Sequence, residues 1–293
     1  MSTEGPLVTP ARPDGGPVVD RAGIARARRI VVKVGSSSIS GENVGQIEPL
    51  VDALADAYAR GAEVVLVSSG AIATGLPHLR LDSRPTDLAT QQAAAAVGQN
   101  VLIYRYQQSL RRHGIVAGQV LLTAGDMRDP TPRSNAQRAM DRLLELRILP
   151  IVNENDTVAT HEIRFGDNDR LAALVAQLIG ADALVLLSDI ECLYTLPPSE
   201  PGARPIVDVA WGDDLSQFEF GAGVVNGVGT GGAATKASAA KLASTAGVGV
   251  LVTSADLVSS ALAGDAVGTW FAPNPDPVTL ATGPVGAVGA PVH

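Results

Sequence analysis

Cysteine is all but missing from this sequence: Cys192 stands alone among 293 residues, so no internal disulfide can form. Histidine is almost as scarce, and His78, His113, His161 and His293 are scattered without the spacing that holds a metal ion. Aromatic residues make up 3% of the chain and the formal net charge is -8, which removes the stacking platforms and the cationic field that nucleic acid binding draws on. No charge-free apolar run reaches the roughly 18 residues of a membrane span. The opening stretch "MSTEGPLVTPARPDGGPVVDRAGIARARR" also lacks the uninterrupted apolar centre of a signal peptide. The expectation is a cytoplasmic protein with neither nucleic acid nor membrane as partner. Cys192 reads as a small apolar filler.

What the sequence does have is core. At 46% hydrophobic and 18% charged, the chain can bury one large α/β domain or two moderate ones. Residues 1–25 and 273–293, rich in Pro and Gly, read as flexible extensions, leaving 26–272 as the folded unit. Within it, β-branched runs alternate with helical patterns. Strands are expected at 30–35, 64–69, 115–123, 148–153, 183–189 and 248–254. Ile47, Leu50, Val51, Leu54 and Tyr58 follow helical spacing up to Gly61, and 86–113, 134–146, 170–179 and 233–246 read as further helices. That alternation implies right-handed crossovers and a mostly parallel central sheet covered on both faces, a three-layer αβα sandwich. In such sheets ligands gather beyond the carboxyl ends of the strands.

The polar clusters are therefore read by the strand end they occupy. Lys33 sits among valines and runs into Gly35-Ser36-Ser37-Ser38; this is either an anion site built from an ammonium, backbone N–H groups and hydroxyls, or an edge lysine before a polar turn. Ser68-Ser69-Gly70-Ala71-Ile72 ends the next strand and opens a second small-residue turn. Asn153-Glu154-Asn155-Asp156 follows a later one, and Gly166-Asp167-Asn168-Asp169 opens the helix after it. "GVGTGGAATKASAAK", residues 227–241, is either a flexible linker or a glycine loop leading into a helix whose N-terminus favours an anion; it lacks Walker A spacing. Lysines on two small-residue turns, together with a carboxylate cluster, are what phosphoryl transfer requires. A nucleotide and an acidic substrate are the natural pair, and the acidic overall charge does not oppose them, because steering depends on the local field.

The set "VVKVGSSS", "SSGAIATG", "VNENDTVATHEIRFGDND", "LLSDIECLYT" and "GVGTGGAATK", in this order, resembles the amino acid kinase family over nearly all of residues 28–272, and within it the branch acting on glutamate. The resemblance implies the amino acid kinase fold and ATP-dependent phosphorylation of the side-chain carboxylate of L-glutamate to L-glutamyl 5-phosphate, the first step of proline biosynthesis. ATP and Mg2+ are the implied cofactors. L-glutamate and ATP are the implied partners, with proline as feedback inhibitor, glutamyl phosphate reductase as a transient partner and a homo-oligomer as the assembly. By the same resemblance Lys33 and Lys236 would neutralise the transferring phosphoryl group, and Asp169 would hold those lysines. Ser69, Asp156 and Asn168 would contact glutamate, with Gly70 letting it approach the backbone. Gly35, Ser36, Ser188, Asp189, Thr230, Gly231, Gly232, Ala233, Ala234, Thr235 and Lys236 would lie with Lys33 on the nucleotide side. No side-chain metal ligand is expected. Glu154 and Asp167 stay open between ligand contact and turn formation, and His161 reads as exposed rather than catalytic. Ala233 stands where the family often has methionine, "IECLYT" departs from a charged or glycine-containing stretch, and no PUA domain is expected. Two rivals remain: an N-acetylglutamate or carbamate kinase, and a non-enzymatic ligand sensor on the same fold.

Overall fold

The computed structural model describes residues 18–159, 168–216, 218 and 232–277. Continuous apolar runs, Ile-Val-Val and Val-Val-Leu-Val, give the strands β1 (Arg29–Lys33) and β2 (Glu63–Val67) two apolar faces each. They are joined by β3 (Ala117–Leu122), β4 (Leu149–Glu154) and β5 (Ala183–Ser188). A two-residue pair, β6 (Leu193–Tyr194) and β7 (Pro205–Ile206), stands apart from the sheet. Beyond it come β8 (Asp208–Val209), β9 (Gly249–Ser254) and β10 (Thr269–Phe271). The main sheet has eight strands in the order β3-β4-β2-β1-β5-β9-β10-β8, parallel throughout except where β10 runs against β9.

Helices fill the crossovers. They are α1 (Ile47–Ala59), α2 (Ala71–Gly75), α3 (Leu88–Arg111), α4 (Ala124–Arg128), α5 (Pro130–Glu145), α6 (Asn168–Ile179), α7 (Ala233–Thr245) and α8 (Val258–Ala263). The period of two along each strand divides the core. Val31, Val65, Val67, Leu184 and Leu186 pack on the α5, α6 and α7 side, while Ile30, Val32, Val64, Leu66 and Val185 pack on the α1, α3 and α8 side. The αβα sandwich is thus present with both sheet faces covered.

Three departures have local causes. α5 starts at Pro130 rather than at 134, because the Asp129 carboxylate caps the Thr131 N–H and proline suits the first helical position. The stretch after Gly70, expected as a turn, forms the short helix α2. It lies hard against α3: a Cβ on Gly98 would stand 1.8 Å from the Ala71 carbonyl oxygen. The expected limits at 26 and 272 both fall inside the packed body. Val18 and fully enclosed Ile24 belong to the core, and the Arg21 guanidinium binds Asp208 on edge strand β8. At the other end, the Asn274 N–H donates to the Ser244 carbonyl.

Candidate active site

The chain runs from β1 to β2 on one side of the sheet and returns with β5 on the other side of β1. β1 is therefore the topological switch point, the place where open parallel sheets gather their ligands beyond the strands' carboxyl ends. Lys33, the last residue of β1, shares the face of Val31, so its side chain rises toward the first turn of α6. There it meets Asp169, whose side chain is completely enclosed. Lys33 Nζ lies 2.6 Å from Asp169 Oδ1 and Lys236 Nζ lies 3.1 Å from Oδ2. Oδ1 has no partner in directed hydrogen-bond geometry, so Lys33 meets it as a charge contact, whereas the Lys236 ammonium donates to Oδ2. The Thr235 hydroxyl lies 3.3 Å from the same Oδ2 and 2.8 Å from the Gly232 carbonyl.

Burial by itself pushes the Asp169 carboxyl up, but the two ammonium groups outweigh it and hold the group below the usual carboxylate range. Asp169 is thus an anion, and the trio carries a formal charge of +1. Its placement at the start of α6 suits an acid, since the helix's positive end lies there. Lys236 is the opposite case. A lysine in the first turn of α7 adds to the helix's positive end instead of offsetting it, and Gly232 leaves that end without a side-chain cap. Both helix N-termini and both ammonium groups raise the positive potential in one place, an arrangement suited to an anion.

On the other side of Asp169 lies Asn168, 8% exposed. Its Nδ2 is 2.6 Å from the Ser68 carbonyl, 2.8 Å from Asn153 Oδ1 and 3.1 Å from Ser69 Oγ. A carbonyl accepts only, so the amide is oriented with its nitrogen toward the ends of β2 and β4. Asn168 is therefore tied to Ser69 as the sequence grouped them, but its donor side is committed within the protein, and an acceptor is what it has left to offer. Asp156, half-buried, follows β4. Gly70 has a φ of +89°, and a Cβ there would come within 3.2 Å of Ser36 Cβ. The residue it brings close is Ser36, so the first and second small-residue turns touch through a glycine.

Gly35 stands beside the cluster, a Cβ on it lying 3.8 Å from Lys33 Nζ. Ser188 at the end of β5 donates to Asp189 Oδ1 at 3.0 Å, with Asp189 itself exposed. Ala233 is half-buried and Ala234 exposed in the first turn of α7. Thr230, Gly231, Asp167 and His161 lie outside the described residues. Gln99 and Tyr106 were missed by sequence reasoning. Asn153 Nδ2 donates to Gln99 Oε1 at 2.7 Å, and the Tyr106 hydroxyl lies 3.0 Å from Ser68 Oγ. The available signal was the seven-residue spacing of Gln92, Gln99 and Tyr106 on α3.

Two ammonium groups are drawn onto one enclosed carboxylate at the switch point of a doubly covered parallel sheet, an arrangement whose charge suits a phosphate-bearing ligand. The chain belongs to the amino acid kinase family, whose profile, described as "Amino acid kinase family", matches residues 28–254. It is 74% identical over 253 residues to the glutamate 5-kinase of Clavibacter michiganensis, covering 86% of this chain and 97% of that one. The glutamate 5-kinase of Leifsonia xyli is 71% identical, with 87% and 94% covered. For that of Salinispora arenicola the identity is 55%, with 86% and 69% covered. A carbamate kinase from Giardia lamblia bound to AMP-PNP superposes with a TM-score of 0.61 at 16% identity, over 85% of this chain and all of that one, which is a likeness of fold.

Proposed function

We propose that this protein is an ATP-dependent kinase that phosphorylates the side-chain carboxylate of L-glutamate to L-glutamyl 5-phosphate, as the first step of proline biosynthesis. The observation that carries the reading is the Lys33–Asp169–Lys236 cluster, set beside relatives 74%, 71% and 55% identical that bear the name glutamate 5-kinase. The acceptor is already a carboxylate anion at neutral pH, so no side-chain base has to remove a proton. Catalysis then consists of holding two anions in line and countering the charge on the transferring group. Lys33 and Lys236 supply that positive charge, and Asp169 fixes where they stand.

Nucleotide phosphates fit the α7 N-terminus with Gly232, Thr235 and Lys236, and the Gly35-Ser36 turn beside Lys33. Glutamate fits the opposite half, with Ser69, the acceptor oxygen of Asn168, and Asp156 as partner for the α-ammonium. Among the described residues no three acids, histidines or cysteines converge on a point. Mg2+ bound together with the nucleotide would add positive charge beside Lys33 and Lys236. Among the described residues no helix is long and apolar enough to cross a membrane. A cytoplasmic homo-oligomer belongs to the same proposal, as do proline as feedback effector and glutamyl phosphate reductase as consumer of the reactive acyl phosphate.

The test is ADP release with L-glutamate, N-acetylglutamate and L-aspartate in parallel. Glutamate alone should support rapid turnover, because an N-acylated substrate has no ammonium for Asp156, and aspartate is one methylene too short to reach the phosphoryl group from that anchor. Faster turnover with N-acetylglutamate refutes the assignment.

A further inference from the structure

The glutamate half of the cleft rests on a support that the proposed function does not use. Gln92, Gln99 and Tyr106 recur every seven residues and so fall on one stripe of α3. Each engages a different piece of the polar strand ends. Gln92 Nε2 donates to the Ala159 carbonyl at 3.2 Å, after Asp156; Gln99 Oε1 accepts from Asn153 at the end of β4; Tyr106 meets Ser68 at the end of β2. Tyr106 is wholly enclosed and burial pushes its hydroxyl up, so it remains a neutral hydrogen-bonding group.

The chain through Gln99 has a direction. Asn153 Oδ1 accepts from the Glu154 N–H at 2.9 Å and from Asn168 Nδ2 at 2.8 Å, so its own Nδ2 must point the other way, to Gln99 Oε1. Turning Asn153 over would bring its NH2 against two donors, and turning Gln99 over would bring NH2 against NH2. With 8%, 2% and 8% exposure for Gln99, Asn153 and Asn168, water offers little substitute. The three amides therefore align head to tail, each polarising the next, and the free end is the Asn168 carbonyl oxygen, which takes no donor from the described residues.

We propose that Gln99 is a positioning residue for acceptor recognition: by accepting from Asn153 it holds Asn153 where, together with the Ser68 carbonyl, it keeps Asn168 in place, and so presents a hydrogen-bond acceptor to the amino acid substrate. Gln99 touches neither Lys33, Asp169 nor Lys236, so its effect falls on glutamate binding rather than on the phosphoryl group. The kinetic part of this inference rests on the glutamate kinase reading.

The experiment compares the parent chain with Gln99→Met, which keeps volume and removes the acceptor, and Gln99→Glu, in which a carboxyl oxygen still accepts from Asn153 in either protonation state. In Gln99→Met the KM for glutamate should rise about tenfold (about 1.4 kcal/mol), with kcat and the KM for ATP within about twofold. Gln99→Glu should restore the KM for glutamate to within about threefold of the parent. A Gln99→Met enzyme with unchanged glutamate KM overturns the proposal, as does a Gln99→Glu enzyme impaired as much as Gln99→Met. So does a fall in kcat alone, the mark of a merely structural loss. If the parent releases no ADP with glutamate, the function reading fails, and the relay is decided by 1H–15N spectra: the Asn168 side-chain NH2 signals should move in Gln99→Met and return in Gln99→Glu. Signals that stay put in Gln99→Met overturn the relay.

Discussion

Asp169→Asn is the change that most directly tests the physics of the cluster. It keeps the shape and removes the charge between two ammonium groups whose side chains are 6% exposed. Whichever way the new amide turns, its NH2 faces one of those ammonium groups. Removing one member of a buried ion pair typically costs about 3 to 5 kcal/mol, because the remaining charge is left uncompensated. At about 2 to 4 °C per kcal/mol for a body of this size, the melting temperature should fall by roughly 6 to 20 °C. The pH dependence follows from the Asp169 carboxyl, which is held below its ordinary value of 3.8. A depressed group contributes its full stability above that ordinary value and loses it as pH falls through the lower, folded-state value. The gap between parent and variant should therefore be constant from about pH 5 to 8 and narrow below about 3.8. Thermal unfolding followed by circular dichroism across that range measures it. Variant and parent melting together at pH 7 would show that the carboxylate does not hold the lysines by charge, and the reasoning would fail.

Lys33→Met or Lys236→Met should each lower kcat about a hundredfold, or roughly 2.7 kcal/mol of transition-state stabilisation, with a smaller effect on glutamate KM; a near-normal kcat with only a raised ATP KM would assign that lysine to ground-state binding. Asp156→Asn should raise the KM for glutamate about ten- to hundredfold while sparing ATP, the loss expected of a charge-assisted hydrogen bond; intact glutamate kinetics would remove it from amine recognition. Gly98→Ala puts a methyl where the Ala71 carbonyl oxygen stands at 1.8 Å, so α2 must lift off α3. A loss of about 1 to 3 kcal/mol in urea unfolding is expected, and an unchanged midpoint would refute that close packing.

Much of the architecture was legible because it depends on short-range patterning. A strand such as Arg29–Lys33, apolar on both faces, reads as a covered parallel strand, and the helical spacing of Ile47, Leu50, Val51 and Leu54 places α1 to within a residue or two. The misread pieces were short or depended on partners far along the chain. α2 has five residues and is held by its contact with Gly98; β8 and β10 have two and three and exist as strands only through their neighbours. Residues 18–25, short of any helical or strand period and following a Pro- and Gly-rich stretch, looked like extension, yet Ile24 fills a core position that sequence periodicity does not announce.

The sequence alone determined which chemistry was at hand: lysines next to small-residue turns, amides and carboxylates at strand ends, and too few histidines, cysteines and aromatics for the alternatives. Only the tertiary structure decided how those groups are divided between ligand and scaffold. Lys33, Asp169 and Lys236 are far apart along the chain and become one charge cluster because β1, α6 and α7 converge at the switch point. Gly70 serves the approach of Ser36, and Asn168 turns its donor side inward to Ser68 and Asn153. A residue type fixes what hydrogen bonds and charges a side chain can offer; which of them are already taken by other parts of the chain is settled by packing, since a buried donor or acceptor must find its partner wherever the fold brings one within reach.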